Sequence, residues 1–243
     1  MIPLGDSNPT QRVPIVNWLL IAANVLVFLF ELTLPSRQLD RLFLNFGAIP
    51  NQILLAIAHP TQTPLTIWAT LFTSMFLHSG WAHIIGNMLF LWVFGDNIED
   101  TLGHFVYLIF YFASGLLAGL AQVYIAGASN LPSIGASGAI AGVLGGYILL
   151  YPLARVRILF PLFILFTTIQ LPALVVIGWW FIQQFFYGIG SLSSSAQSGV
   201  AFWAHIGGFI AGLILIVPFI GRARRRRPTL APHDAYEDYY RRF

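Results

Sequence analysis

A chain of 243 residues with 57% apolar side chains and only 9% charged ones lies far from a water-soluble domain, in which roughly 25% of residues are charged. Long apolar runs almost free of charge fit an integral membrane protein instead. Lysine is absent, so the formal charge of +3 comes from twelve arginines against nine acids. Cysteine is absent too, which excludes a disulfide framework, a thiol nucleophile and any thiolate-ligated metal.

Residues 1–14 are polar and read as a short N-terminal segment. The apolar run that follows is too long for a signal peptide and lacks its small-residue cleavage pattern, so it reads as an uncleaved first span. Six segments approach the ~20 apolar residues of a spanning helix: 15–34, 81–94 with an extension to 98, 104–126, 136–153, a fifth within 158–187, and 200–220. The fifth region exceeds one span. The break Thr167-Thr168-Ile169-Gln170 and Pro172 confine the crossing to about 168–187, leaving 158–166 either along the interface or as a helical extension. The expected architecture is an all-α membrane protein, a six-helix bundle over residues 15–221, followed by a basic tail, 222–243.

Two external connections stand out. Residues 35–79 hold apolar pieces too short to span, which fit short helices in the outer interface, with Trp68 and Trp81 near headgroup depth. Residues 183–199 are rich in serine and glycine and read as a lid. Ten of the twelve arginines fall on the side that holds both termini, which predicts a cytoplasmic location for those termini. The run at 222–227 beside a span reads as an anchor for anionic lipid rather than a nucleic-acid site.

Chemistry concentrates in two strings, Gly135-Ala136-Ser137-Gly138 and Ala204-His205-Ile206-Gly207-Gly208. Gly138, Gly142 and Gly146 form one small-residue stripe, and Ala204, Gly208 and Gly212 form another. Such faces let helices approach to backbone contact, which would bring the Ser137 hydroxyl to the His205 ring, as a base requires. Ser137 opens its helix, where unpaired N–H groups and the dipole favour an oxyanion. His83 and Asn87, at i and i+4, share a face and offer side-chain donors. A serine in a glycine-rich span also serves as a packing residue, and a buried histidine also serves in ion paths. His78 and His83 do not share a helical face and no carboxylate joins them, so no metal site is expected.

These motifs, in this order and spacing, resemble the rhomboid family of intramembrane serine proteases. The resemblance covers the whole chain and extends to Glu99 with Gly103. It implies a membrane-embedded endopeptidase that needs no cofactor and acts on single-pass or other transmembrane proteins, in a bacterial cytoplasmic membrane. Ser137 would be nucleophile and His205 general base, with His83, Asn87 and Gly135 around the oxyanion and His78, Gly138 and Gly208 in support. A small residue such as alanine is expected before the scissile bond. Substrate would enter between the second and fifth helices, past Trp179, Trp180, Phe181, Phe185 and Phe186. Two positions depart from the family pattern. Ala69 follows Trp68 where arginine is usual, and Ala141 replaces an aromatic that stacks on the imidazole, so His205 is expected to be oriented by helix packing. An inactive rhomboid-like binding or sorting factor, and a transporter, are the rival classes.

Overall fold

The computed structural model describes residues 2–162, 165–193 and 201–226. After a short strand β1 (Ile2–Asp6) comes helix α1 (Ile15–Glu31). The long first connection folds into α2 (Ser36–Phe46), α3 (Pro50–Ala58) and α4 (Leu65–Thr73), with a 3-10 turn over Ser74–Phe76. Helices α5 (Trp81–Leu102), α6 (His104–Ile125) and α7 (Ser137–Leu150) follow. Strands β2 (Arg155–Leu162) and β3 (Leu165–Pro172) then lead into α8 (Ala173–Ser193), α9 (Phe202–Ile216) and, after a turn, α10 (Ile220–Arg226). Six helices match the six segments read from sequence, and the first connection is partly helical.

Among the described residues, three stretches are long and apolar enough to cross a bilayer: His104–Ile125, Ala173–Ser191 and Phe202–Ala223. Helix α1 has 17 residues and α7 has 14. A 14-residue helix rises only ~21 Å against a hydrocarbon thickness of ~30 Å, so the two ends of α7 cannot both reach an interface. Helix α5 has 22 residues and carries Asp96, Glu99 and Asp100 in its last turns.

One of those acids, Glu99, holds α1 in place. Its N-cap is Pro14, which offers no side-chain acceptor, yet its first amides need partners. Glu99 supplies them, accepting from Val16 N–H at 2.9 Å and Asn17 N–H at 2.7 Å. A carboxylate at the positive end of the helix dipole is favourable. Asn17 in turn donates to the Leu91 carbonyl at 3.0 Å and accepts from the Tyr107 hydroxyl at 2.8 Å, joining α1, α5 and α6.

The closest crossing is between α7 and α9. A Cβ added to Gly208 would lie 2.1 Å from the Gly138 carbonyl oxygen, and one on Gly212 would lie 1.9 Å from that of Gly142. Only glycine permits this approach. Gly142 also faces Ser114 of α6, whose Cβ would be 2.3 Å from an added one, so the same stripe serves two neighbours. Gly146 instead faces Phe110 and Ile216.

Three features correct the sequence reading. Residues 158–166 were expected along the interface or in a helix, but the described part is strand. β2 pairs antiparallel with both β1 and β3, in the order β1-β2-β3, and the fifth helix begins at Ala173. Continuous short apolar runs do not separate a buried strand from a helix, which is how Ile158, Phe160 and Leu162 were misread. Residues 1–14, read from sequence only as a polar N-terminal segment, contribute the edge strand β1 (Ile2–Asp6). Finally, much of the stretch read as a lid, 183–199, is helical through Ser193, while 194–200 lie outside the described residues. The tail beyond Arg226 lies outside them as well.

Candidate active site

Ser137 is the first residue of α7 and His205 sits in the first turn of α9. The Ser137 hydroxyl lies 2.7 Å from His205 Nε2, within hydrogen-bond reach. Both residues are partly exposed, so a reagent can approach them. Gly138, next to Ser137, is packed under Ala118 Cβ, and Gly208, one turn past His205, meets the Gly138 carbonyl. Glycine contact between the two helices is therefore what sets the Ser–His distance.

Gly135 precedes this pair with φ +122°, a conformation that favours glycine. Its N–H donates to the Ser74 carbonyl at 2.8 Å. A Cβ there would lie 2.6 Å from His83 Nε2 and 3.6 Å from Asn87 Nδ2. Both side chains thus converge on the turn that leads into Ser137.

His78 braces this face. Its ring lies 4.9 Å from that of His83, and burial, helped by the neighbouring His83, pushes its imidazole down to about 4. The ring is therefore neutral. Nδ1–H donates to the Phe76 carbonyl at 3.3 Å, and Nε2 accepts from Asn87 Nδ2 at 3.0 Å. That bond fixes the Asn87 amide with its nitrogen toward the site, and the nitrogen carries a second N–H. His83 Nδ1 lies 3.2 Å from the Ser79 hydroxyl. Among the described residues no three His, Asp or Glu side chains gather as metal ligands would.

Three residues of the site were not anticipated. Gln184 of α8 meets His205 Nδ1 with its Oε1 at 2.7 Å. Its position in the supposed lid hid it, although a Gln pair inside an aromatic-rich apolar run was a visible signal. Glu31, buried at the end of α1, accepts from the His78 N–H at 3.2 and 3.3 Å. Gln122 of α6 accepts from the Ala204 N–H at 3.1 Å, satisfying a first-turn donor of α9.

Beside Ser137 is a cavity of about 40 Å³ lined by Met75, Gly115, Ala118, Gln122, Gly138 and Ala204, among others, enough for a few waters. On the opposite side, Trp180 of α8 packs 6.5 Å from Phe90 of α5, and Phe181 stacks on Phe209 at 4.4 Å. Trp179, Phe185 and Phe186 are exposed.

Comparison with known proteins follows the same lines. The family profile described as Rhomboid domain matches residues 66–222. The chain is 32% identical over 214 residues to Rhomboid protease GluP of Bacillus subtilis (strain 168), a stretch that covers 88% of this chain and 37% of that protein. It is 28% identical over 176 residues to Presenilin-associated rhomboid-like protein, mitochondrial, of Homo sapiens, covering 68% of this chain and 42% of the relative. It is 36% identical over 87 residues to Rhomboid protein 1, mitochondrial, of Saccharomyces cerevisiae, covering 34% and 25%. The chain thus spans less than half the length of each of these relatives.

Proposed function

This chain belongs to the rhomboid family, and from that premise we propose that it is an intramembrane serine endopeptidase working through a Ser137–His205 dyad. The observation that carries this is the 2.7 Å contact between Ser137 Oγ and His205 Nε2 inside a membrane bundle. That pairing favours an enzyme over an inactive rhomboid-like binding factor.

The geometry supports the following mechanism. His205 Nε2 takes the Ser137 proton as Oγ attacks the scissile carbonyl. The developing oxyanion rests on the first-turn N–H groups of α7 with the Asn87 amide and His83, and Gly135 keeps their path open. His205 then protonates the leaving amine. Water, deprotonated by the same ring, attacks the acyl-enzyme and restores Ser137. No acid completes a triad, and none is required for the proton transfers, since the acid of a triad orients and stabilises the imidazolium.

The substrates are transmembrane proteins cleaved in or near the span, which reach Ser137 between α5 and α8. The chain lies in a bacterial cytoplasmic membrane with both termini in the cytoplasm, its basic tail from Arg222 onward against anionic lipid. Residues 15–221 are the membrane domain that carries the chemistry.

The test is a fluorophosphonate probe on purified protein. Wild type labels covalently, while Ser137→Ala does not label and His205→Ala labels far more slowly. An unlabelled but folded wild type would make the chain a rhomboid-like binding protein, and labelling that persists in Ser137→Ala would remove Ser137 as nucleophile.

A further inference from the structure

An imidazole that serves as base must be held in one ring orientation and one tautomer. A single hydrogen bond to Ser137 does neither, because the ring can turn over about its Cβ–Cγ bond and the proton can sit on either nitrogen. Helix α7 offers no help here. Ala141, fully buried one turn after Ser137, presents only a methyl group where a flat ring could have stacked.

The second anchor comes from α8. Gln184 Oε1 lies 2.7 Å from His205 Nδ1. A carboxamide oxygen only accepts, so Nδ1 carries the proton and the Nε2 lone pair faces Ser137 Oγ at 2.7 Å. Turning the ring over would place carbon atoms at both contacts and lose both bonds. Trp180, one turn before Gln184 on the same face of α8, packs against the imidazole with ring centroids 5.9 Å apart and planes at 38°. Phe202 closes the other edge at 6.4 Å and 89°.

Taking Ser137 and His205 as the reacting pair, as proposed above, we infer that Gln184 is the positioning residue for His205, occupying the place that the acid holds in a serine–histidine–acid triad. When Nε2 gains the serine proton, both ring nitrogens donate, and the Nδ1–H···Oε1 bond becomes charge-assisted. Gln184 therefore acts both before and during proton transfer, without touching substrate. It also makes the base sensitive to α8. Drawing that helix back by about an ångström would take a 2.7 Å bond past the limit of a hydrogen bond while the α7–α9 contact stays intact.

The experiment measures inactivation by a fluorophosphonate in detergent micelles, resolving the maximal rate, kinact, from the probe's half-saturation concentration, KI. Gln184→Met, close in size but without an acceptor, is expected to lower kinact roughly 10- to 100-fold, by analogy with the loss of an orienting hydrogen bond to a metal-ligating histidine. KI stays within about twofold, since Gln184 does not meet the probe. Gln184→Glu restores the oxygen at Nδ1 and brings kinact back to near wild type. Gln184→Ser, too short to reach Nδ1, carries the test if the methionine variant does not fold. Unchanged kinact in a folded Met or Ser variant overturns the assignment, as does a folded Glu variant as slow as Met. Ser137→Ala in the same series separates the two questions. Labelling that persists there removes the dyad itself, whereas labelling lost in Ser137→Ala and unaffected by Gln184→Met removes only the role of Gln184.

Discussion

Replacing Gly208 by alanine tests whether helix contact sets the reacting distance. The new Cβ would lie 2.1 Å from the Gly138 carbonyl oxygen, 3.0 Å from its carbon and 3.2 Å from Ala118 Cβ. The obstruction is backbone and cannot rotate away. Ordinary van der Waals contact begins at 3.4 Å, so α9 must retreat from α7 by roughly 1.3 Å, a strain of about 1–3 kcal/mol for an overpacked interface. Gly208 is three residues from His205 and on the same face. The same retreat stretches the 2.7 Å Ser137–His205 bond to about 4 Å, which is no longer a hydrogen bond. A misplacement of that size costs on the order of 100-fold in rate. The control is Gly178→Ala on α8, where an added Cβ meets nothing within 4 Å and a mid-helix alanine gains about 0.5–1 kcal/mol. Thermal unfolding and fluorophosphonate labelling rates, measured side by side in detergent, should separate the two variants in opposite directions. Wild-type labelling by Gly208→Ala would refute the link between glycine contact and reacting geometry. Equal stability of the two variants would refute the contact itself.

Two other outcomes follow from the site and its surroundings. Asn87→Ala should lower kcat on a transmembrane reporter roughly 100- to 1,000-fold, the usual cost of an oxyanion donor, with KM little changed; a proportional loss of thermal stability instead would mean that Asn87 only braces His78. Asp6 makes the second. Burial, opposed by the Tyr147 hydroxyl bond and reinforced by the nearby Asp96 carboxylate, pushes its carboxyl up to about 7. The folded state then holds a proton that the unfolded chain has lost. Stability from this group is full below about 4 and declines as pH rises through about 7. Asp6→Asn keeps an oxygen for Tyr147 and should flatten that decline in a thermal-unfolding series across pH 4–8, and an unchanged slope would count against Asp6 as its source.

The parts of this protein legible in its sequence are those where one physical constraint leaves few alternatives. A backbone crossing of two helices in lipid needs small residues at every fourth position, so Gly138, Gly142, Gly208 and Gly212 mark the α7–α9 contact in the sequence itself. Uncapped amides in an apolar setting need a partner, but the sequence marks Glu99 only through the family resemblance, and nothing local in it names α1 as the helix that Glu99 caps. The sheet was illegible for the opposite reason. β1 pairs with β2 across some 150 residues of chain, and nothing local in Ile2–Asp6 distinguishes a strand that finds a partner from a polar lead that does not. Short apolar runs such as Arg155–Leu162 suit a strand or a helix equally until an edge is available to pair with.

The orientation of His205 shows where pattern gives way to tertiary placement. From the sequence, the missing aromatic at Ala141 leaves the imidazole to be held by helix packing, because nothing local ties Gln184 to His205. Polar groups in a spanning helix, however, usually have a partner to satisfy. Gln184 lies mid-helix because α8 continues to Ser193, well past the point where serine and glycine content suggested an ending. Once that helix is extended, its Gln184 and Trp180 fall one turn apart, and the same face that presents a ring to His205 presents an acceptor to Nδ1. An aromatic on α7 would have tied His205 to the helix that also carries Ser137. A glutamine on α8 ties it to a third helix. The two contacts are separable: the Gln184 variants remove the α8 bond to His205, and Gly208→Ala disturbs the α7–α9 contact instead.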